Sequence, residues 1–245
     1  MYIVFLTAIG VGGATVLGAV IGFIFKDLSR KFSDTVLAFA GGVMLIASIN
    51  GLILPSLEYE SSFSLLISVI GIIVGALIIF LLGKTVPHIS KMADGANEKK
   101  RNKVLLFTLA IAIHNLPEGI AAGVGFGTGD SESALTLALG IALQNIPEGM
   151  VIISPMISSG ISPKKTFFYA SLTGVIEVVG TFIGYFAVSG ASLFLPFALA
   201  LAGGSMLYVI SEEIIPETHS EGNKTSVSFA FLIGFCFMLA LGFYI

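Results

Sequence analysis

The chain is short of charge. Of its 245 residues only 11% are Asp, Glu, Lys or Arg, against roughly 25% in a soluble domain. So few ionised groups could not solvate the surface of a water-soluble fold this large, which excludes that class first. No basic block is present and the formal net charge is −3, so nucleic acid is not an expected partner. The only cysteine, Cys236, sits in an apolar run, and a disulfide scaffold is excluded with it. Nucleotide-binding loops and a His-Glu-x-x-His helix are also missing, which removes ATP-driven pumping and the familiar zinc-hydrolase signature. What the chain has instead is 56% hydrophobic residues, a mean hydropathy of +1.00 and 29 glycines lying inside apolar segments. That combination reads as close-packed membrane helices rather than disorder.

About 20 apolar residues are needed to cross a bilayer. Eight such stretches are expected, near 2–25, 35–57, 63–83, 104–127, 134–158, 166–190, 192–215 and 225–245. All twelve Lys and Arg fall between alternate spans: Lys26, Arg30 and Lys31; then Lys84, Lys91, Lys99, Lys100, Arg101 and Lys103; then Lys164 and Lys165; then Lys224. The opposite loops carry only Glu58, Glu60, Asp130 and Glu132 as charges. The positive-inside rule then sets both termini outside the cell membrane. The expected fold is an all-α integral membrane protein forming one transmembrane domain over 1–245, with a cytoplasmic loop at 84–103. The parity of the spans permits spans 1–3 and 6–8 to form an inverted repeat around spans 4–5. The first span lacks a charged leader and a cleavage site and does not read as a signal peptide. Gly18/Gly22, Gly71/Gly75 and Gly180/Gly184 read as packing contacts.

Polar residues remain at membrane depth. Span four holds His114-Asn115-Leu116-Pro117-Glu118-Gly119, span five Gln144-Asn145-Ile146-Pro147-Glu148-Gly149, and span six Glu177. A central carboxylate costs about 2.5–3.5 kcal/mol, so three unpaired ones cost on the order of 8–10 kcal/mol. Every basic residue is already in a loop, so protons or a visiting cation must balance them. Helical spacing puts His114 and Glu118 on one face, and Gln144 and Glu148 on one face of the next, antiparallel helix. Imidazole with carboxylates suits a borderline dication such as zinc. Pro117 and Pro147 free the carbonyls of Ile113 and Leu143, which is tolerable beside a cavity. A lone mid-membrane histidine is as often a helix–helix hydrogen bonder, Met44 alone reads as core, and Glu212, Glu213 and His219 could equally be solvated.

With these residues in view, the chain resembles the ZIP (zinc- and iron-regulated transporter-like) family, particularly its bacterial branch. His-Asn-Leu-Pro-Glu-Gly in span four, its Gln-Asn-Ile-Pro-Glu-Gly variant in span five and Ile214-Ile215-Pro216-Glu217-Thr218-His219 carry the resemblance. It implies a main metal centre of His114, Glu118, Gln144 and Glu148, with Met44 nearby. It also implies a second ion at Asn115, Asn145 and Glu177, bridged by Glu118 and Glu148. Glu58 matches an acidic entrance position, Glu212, Glu213 and His219 match the exit, and His88 an inner-loop cluster. Many relatives carry histidine where Gln144 stands and an acid where Asn145 stands; the neutral amides here leave the second ion weak or absent. The expected function is divalent-cation transport, chiefly zinc uptake into the cytosol by alternating access, with cadmium, iron and manganese as further substrates. No prosthetic group is expected, and the implied partners are the metal ion, the lipid bilayer and a second copy in a homodimer. The rival readings are export on the same scaffold and an intramembrane zinc metalloenzyme.

Overall fold

A computed structural model describes residues 1–25, 29–59, 63–91, 113, 115–158, 161–189, 194–220 and 224–244. Among these residues no strand occurs, and the helices α1 (Tyr2–Ile24), α2 (Arg30–Leu57), α3 (Ser64–Lys91), α4 (115–125), α5 (Ser131–Val151), α6 (Pro163–Ser189), α7 (Leu195–Thr218) and α8 (Lys224–Tyr244) follow in chain order. All but α4 contain stretches long and apolar enough to cross a membrane; most of the stretch expected before residue 115 lies outside the described residues. α3 and α8 expose Leu65, Ile73, Phe229 and Ile233, a surface that water would not tolerate and lipid does. The protein is therefore a multi-pass helical membrane protein.

Several boundaries differ from the hydropathy reading. α2 begins at Arg30 rather than near 35, because Ser29 caps it: its hydroxyl accepts from Phe32 N–H at 3.2 Å. Arg30 and Lys31 thus belong to its first turn. α3 runs on to Lys91, past the apolar stretch, with the Lys84 ammonium lying 4.3 Å over the Phe80 ring. Of the loop expected at 84–103, residues 92–103 lie outside the described residues. The fifth span breaks after Val151 and resumes at Ile153–Ser158.

Two π-turns were not foreseen: Ile49–Ile53 precedes Pro55 in α2, and Ile210–Ile214 precedes Pro216 in α7. A proline cannot donate to the carbonyl four residues back and its ring crowds that carbonyl, so an extra residue in the preceding turn relieves the conflict. The α4–α5 connection closes through the 3₁₀ turn Phe126–Thr128 and Gly129, whose φ of +79° demands glycine. Asp130 then caps α5, accepting from the N–H groups of Glu132 and Ser133.

The helices pack in two groups. α1 packs on α5 and α6, and α4 on α6; α2 packs on α8, and α3 on α7. Within each group many contacts are glycine to backbone. Gly12 meets Gly174, Gly18 meets Ile146 and Gly149, Gly180 meets Leu116 and Gly119, Gly42 meets Phe231, and Gly204 meets Ile72. Between the groups α5 meets α2 and α8 through longer side chains, Leu137 against Gly51 and Met238 against Gly140.

Candidate metal centre

α4 and α5 present matching turns to each other and to α6. Pro117 lies within α4 and Pro147 within α5. Glu118, Asn115, Gln144, Asn145 and Glu177 are all buried, and Glu148 is half-buried at the edge of a cavity. Gln144 Nε2 donates to Glu118 Oε1 at 3.1 Å, tying α5 to α4. Glu177 of α6 accepts from Asn145 Nδ2 at 2.8 Å, from Asn115 Nδ2, and from the Thr15 hydroxyl of α1 at 2.7 and 2.9 Å to its two oxygens. Asn145 Nδ2 also faces the Val11 carbonyl at 3.4 Å. Among the described residues no Lys or Arg pairs with these carboxylates; Arg30 instead bridges Asp34 (3.4 Å) and Glu217 (2.7 Å).

Four buried acceptors here find no donor among the described residues: Glu118 Oε2, Gln144 Oε1, Asn145 Oδ1 and Glu148 Oε1. Each buried, unsatisfied polar atom costs about 1–3 kcal/mol. Oxygens only, two of them carboxylate, in a region without a basic partner among the described residues make an environment for a cation. No trio of His, Cys, Asp or Glu is assembled at ligating distance among the described residues. The centre as described is therefore an acid–amide one.

Asn115 and Glu148 border a cavity of about 490 Å³ whose far wall is Glu212, Glu213, Pro216 and Glu217 of α7. The π-turn at Ile210–Ile214 aims Glu212 and Glu213 at this cavity. At the other end a vestibule of about 310 Å³ is lined by Asn50, Glu58, Tyr59, Thr128, Asp130 and Ser133, among others. Ser133 donates to the Asp130 carboxylate, which holds that exposed acid below its ordinary range. Between vestibule and centre stand Met44, Ala121, Ala122, Leu137, Ile141 and Met206, none more than 2% exposed.

The structure thus brings Asn115, Glu118, Gln144, Asn145, Glu148 and Glu177 together, places Glu212 and Glu213 on the adjoining cavity, and puts Glu58 in the vestibule. Met44 lies in the apolar cluster with Ile141 and Ala121, one turn from Gln144 and Glu118. His219 is engaged elsewhere: Nδ1 meets the Ile215 carbonyl at 2.9 Å and Nε2 meets Ser228 Oγ at 3.3 Å, which fastens the end of α7 to α8. His114, and the side chain of His88, lie outside the described residues. Sequence reasoning missed Thr15 and the Arg30–Asp34–Glu217 cluster. A readable signal existed: Ala40-Gly41-Gly42-Val43-Met44-Leu45 recurs as Ala202-Gly203-Gly204-Ser205-Met206-Leu207, and at that same spacing Thr15 stands opposite Glu177.

A polytopic helical membrane protein with an acid–amide centre buried between its helices is the class that these features define. Comparison narrows it. The family model described as ZIP Zinc transporter matches residues 88–242. The chain is 37% identical over 238 residues to the zinc transporter GufA of Myxococcus xanthus, covering 94% of both chains. It is 35% identical over 246 residues to the zinc transporter ZIPB of Bordetella bronchiseptica, covering 93% of this chain and 76% of that one. To the zinc transporter ZupT of Chlorobaculum parvum it is 31% identical over 249 residues, covering 94% and 92%. The chain belongs to the ZIP family, in its bacterial branch. Those relatives are named as transporters, and the metalloenzyme reading is set aside.

Proposed function

We propose that this protein carries zinc through a cell membrane into the cytosol, by alternating access to one buried centre. The observation that carries the reading is the set of unpartnered oxygens on Glu118, Gln144, Asn145 and Glu148, reached by an acidic cavity and lacking any basic neighbour among the described residues. His114, beside Asn115 and one helical turn before Glu118, supplies the imidazole that favours zinc over harder ions. Relatives named as zinc transporters support the same cargo.

Arg30, Lys31, Lys164, Lys165 and Lys224 mark the cytosolic end, with both termini outside. The cavity at Glu212, Glu213 and Glu217 then faces the cytosol and the Glu58–Asp130 vestibule faces outward, closed from the centre by the Met44–Ile141 layer. The acidic vestibule concentrates cations. An ion entering the centre exchanges water for carboxylate and amide oxygens; neutral amides keep binding weak enough for release toward Glu213. An inside-negative potential of about 100 mV favours entry of a dication by roughly 4.6 kcal/mol.

The inverted relation of α1–α3 to α6–α8 is supported by the repeated Ala-Gly-Gly-x-Met-Leu segment and by the Gly12–Gly174 contact. Glycine-to-backbone contacts stiffen each helix group, while longer side chains separate the groups, so access alternates as α1, α4, α5 and α6 shift against α2, α3, α7 and α8. Purified protein in liposomes containing a zinc-sensitive dye tests the function. Zinc influx driven by an inside-negative potential is expected. Flux that runs only against that direction identifies an exporter, and absence of flux removes the transport reading.

A further inference from the structure

Resting on that reading, we propose that Glu177 holds no transported ion: it is a positioning residue that, with Thr15, turns the amides of Asn115 and Asn145, and the centre takes one cation at a time. An ionised carboxylate only accepts hydrogen bonds, so any amide touching it must present its NH₂ group. Asn115 and Asn145 both do so, one on each oxygen. Asn145 is fixed further, because its second N–H faces the Val11 carbonyl. Its carbonyl oxygen therefore points away from Glu177, and it is one of the four unpartnered acceptors. The orientation of the Asn145 oxygen in the cage thus follows from Glu177, as that of Gln144 follows from Glu118.

Glu177 has little capacity left for a metal. The Thr15 hydroxyl lies within 2.9 Å of both its oxygens, and Thr15, Glu177 and Asn145 are all fully buried. Three neutral donors from three other helices satisfy its oxygens, which lowers the cost of holding a carboxylate in the membrane without a cation. A metal there would have to displace amide and hydroxyl hydrogens at once. An acid in place of Asn145 would bring oxygens where hydrogens are needed.

Two experiments decide it. The first is equilibrium zinc binding to the purified full chain, counting equivalents. Glu177→Gln is expected to keep the wild-type number with about tenfold weaker affinity, the effect of losing a charged hydrogen bond, while Glu118→Gln loses one equivalent. Loss of an equivalent in Glu177→Gln as well makes Glu177 a ligand and overturns the proposal. Full retention in Glu118→Gln takes down the transport centre and this inference together. The second measures zinc flux for two shape-matched changes. Thr15→Val keeps the volume and removes the hydroxyl, and is expected to raise KM about tenfold at unchanged bound stoichiometry; Thr15→Ser keeps the hydroxyl and wild-type KM. The reverse pattern, Val normal and Ser impaired, reduces Thr15 to packing and sinks the assignment.

Discussion

The side-chain amide of Gln144 donates to one oxygen of Glu118 at 3.1 Å, and the other oxygen of each group finds no partner among the described residues. One bond both joins α5 to α4 and leaves Glu118 Oε2 and Gln144 Oε1 unpartnered. Glu118→Ala should therefore lower zinc flux by more than about a hundredfold while the protein still inserts and folds. Flux in proteoliposomes beside a thermal melt in detergent checks both halves; flux unchanged in a folded variant takes Glu118 out of the pathway.

Gly12 and Gly174 leave no space for a side chain, since a methyl on either would run into the carbonyl of the other. Gly12→Ala should destabilise by about 1–3 kcal/mol, as overpacking does. Gly13 has open space around the same position, and Gly13→Ala should be near neutral. Comparable melting temperatures for the two variants would contradict the α1–α6 contact.

Arg30 spans from the first turn of α2 to Glu217 at the end of α7, at the rim of the acidic cavity. Both side chains are half-exposed, so the pair contributes at most about 1 kcal/mol to stability. Its greater effect is expected on rate. Arg30→Glu should slow zinc release, and Arg30→Glu with Glu217→Arg should restore it. A double variant as slow as the single one would show that the bridge does not govern the exit.

In the vestibule the Ser133 hydroxyl and backbone N–H hold Asp130 ionised below the usual aspartate range. A depressed pKa means the capping contribution is complete above the unfolded value and fades as pH falls through the folded one. The stability difference between wild type and Asp130→Ala should thus persist at neutral pH and shrink under strong acid, followed by thermal melts across pH. A difference that vanishes already at pH 6 would refute the assigned cause.

Glu58 and Asp130 line the vestibule, and on the proposed reading they act on the ion at a distance, where salt screens them. Glu58→Gln should raise KM for zinc severalfold at low ionic strength and hardly at all near 1 M salt. A salt-independent KM change would make Glu58 a direct ligand.

Some of this was written in the sequence and some was not. Apolar run length and the placement of the basic residues at or beyond alternate span ends set the expected number of spans and their expected sense, because hydrocarbon admits neither bare backbone nor unpaired charge. The two hexapeptides announce the centre through helical periodicity alone. The tertiary structure decided which neighbours those side chains meet. The sequence carries Glu177 without showing that Thr15, from a helix 162 residues earlier, donates to it, and His219 without showing Ser228 against its ring. The π-turn that aims Glu212 and Glu213 depends on how α7 packs as well as on Pro216. Hydrogen-bond partnership across helices is set by packing, and a one-dimensional pattern carries the donors and acceptors without saying who meets whom.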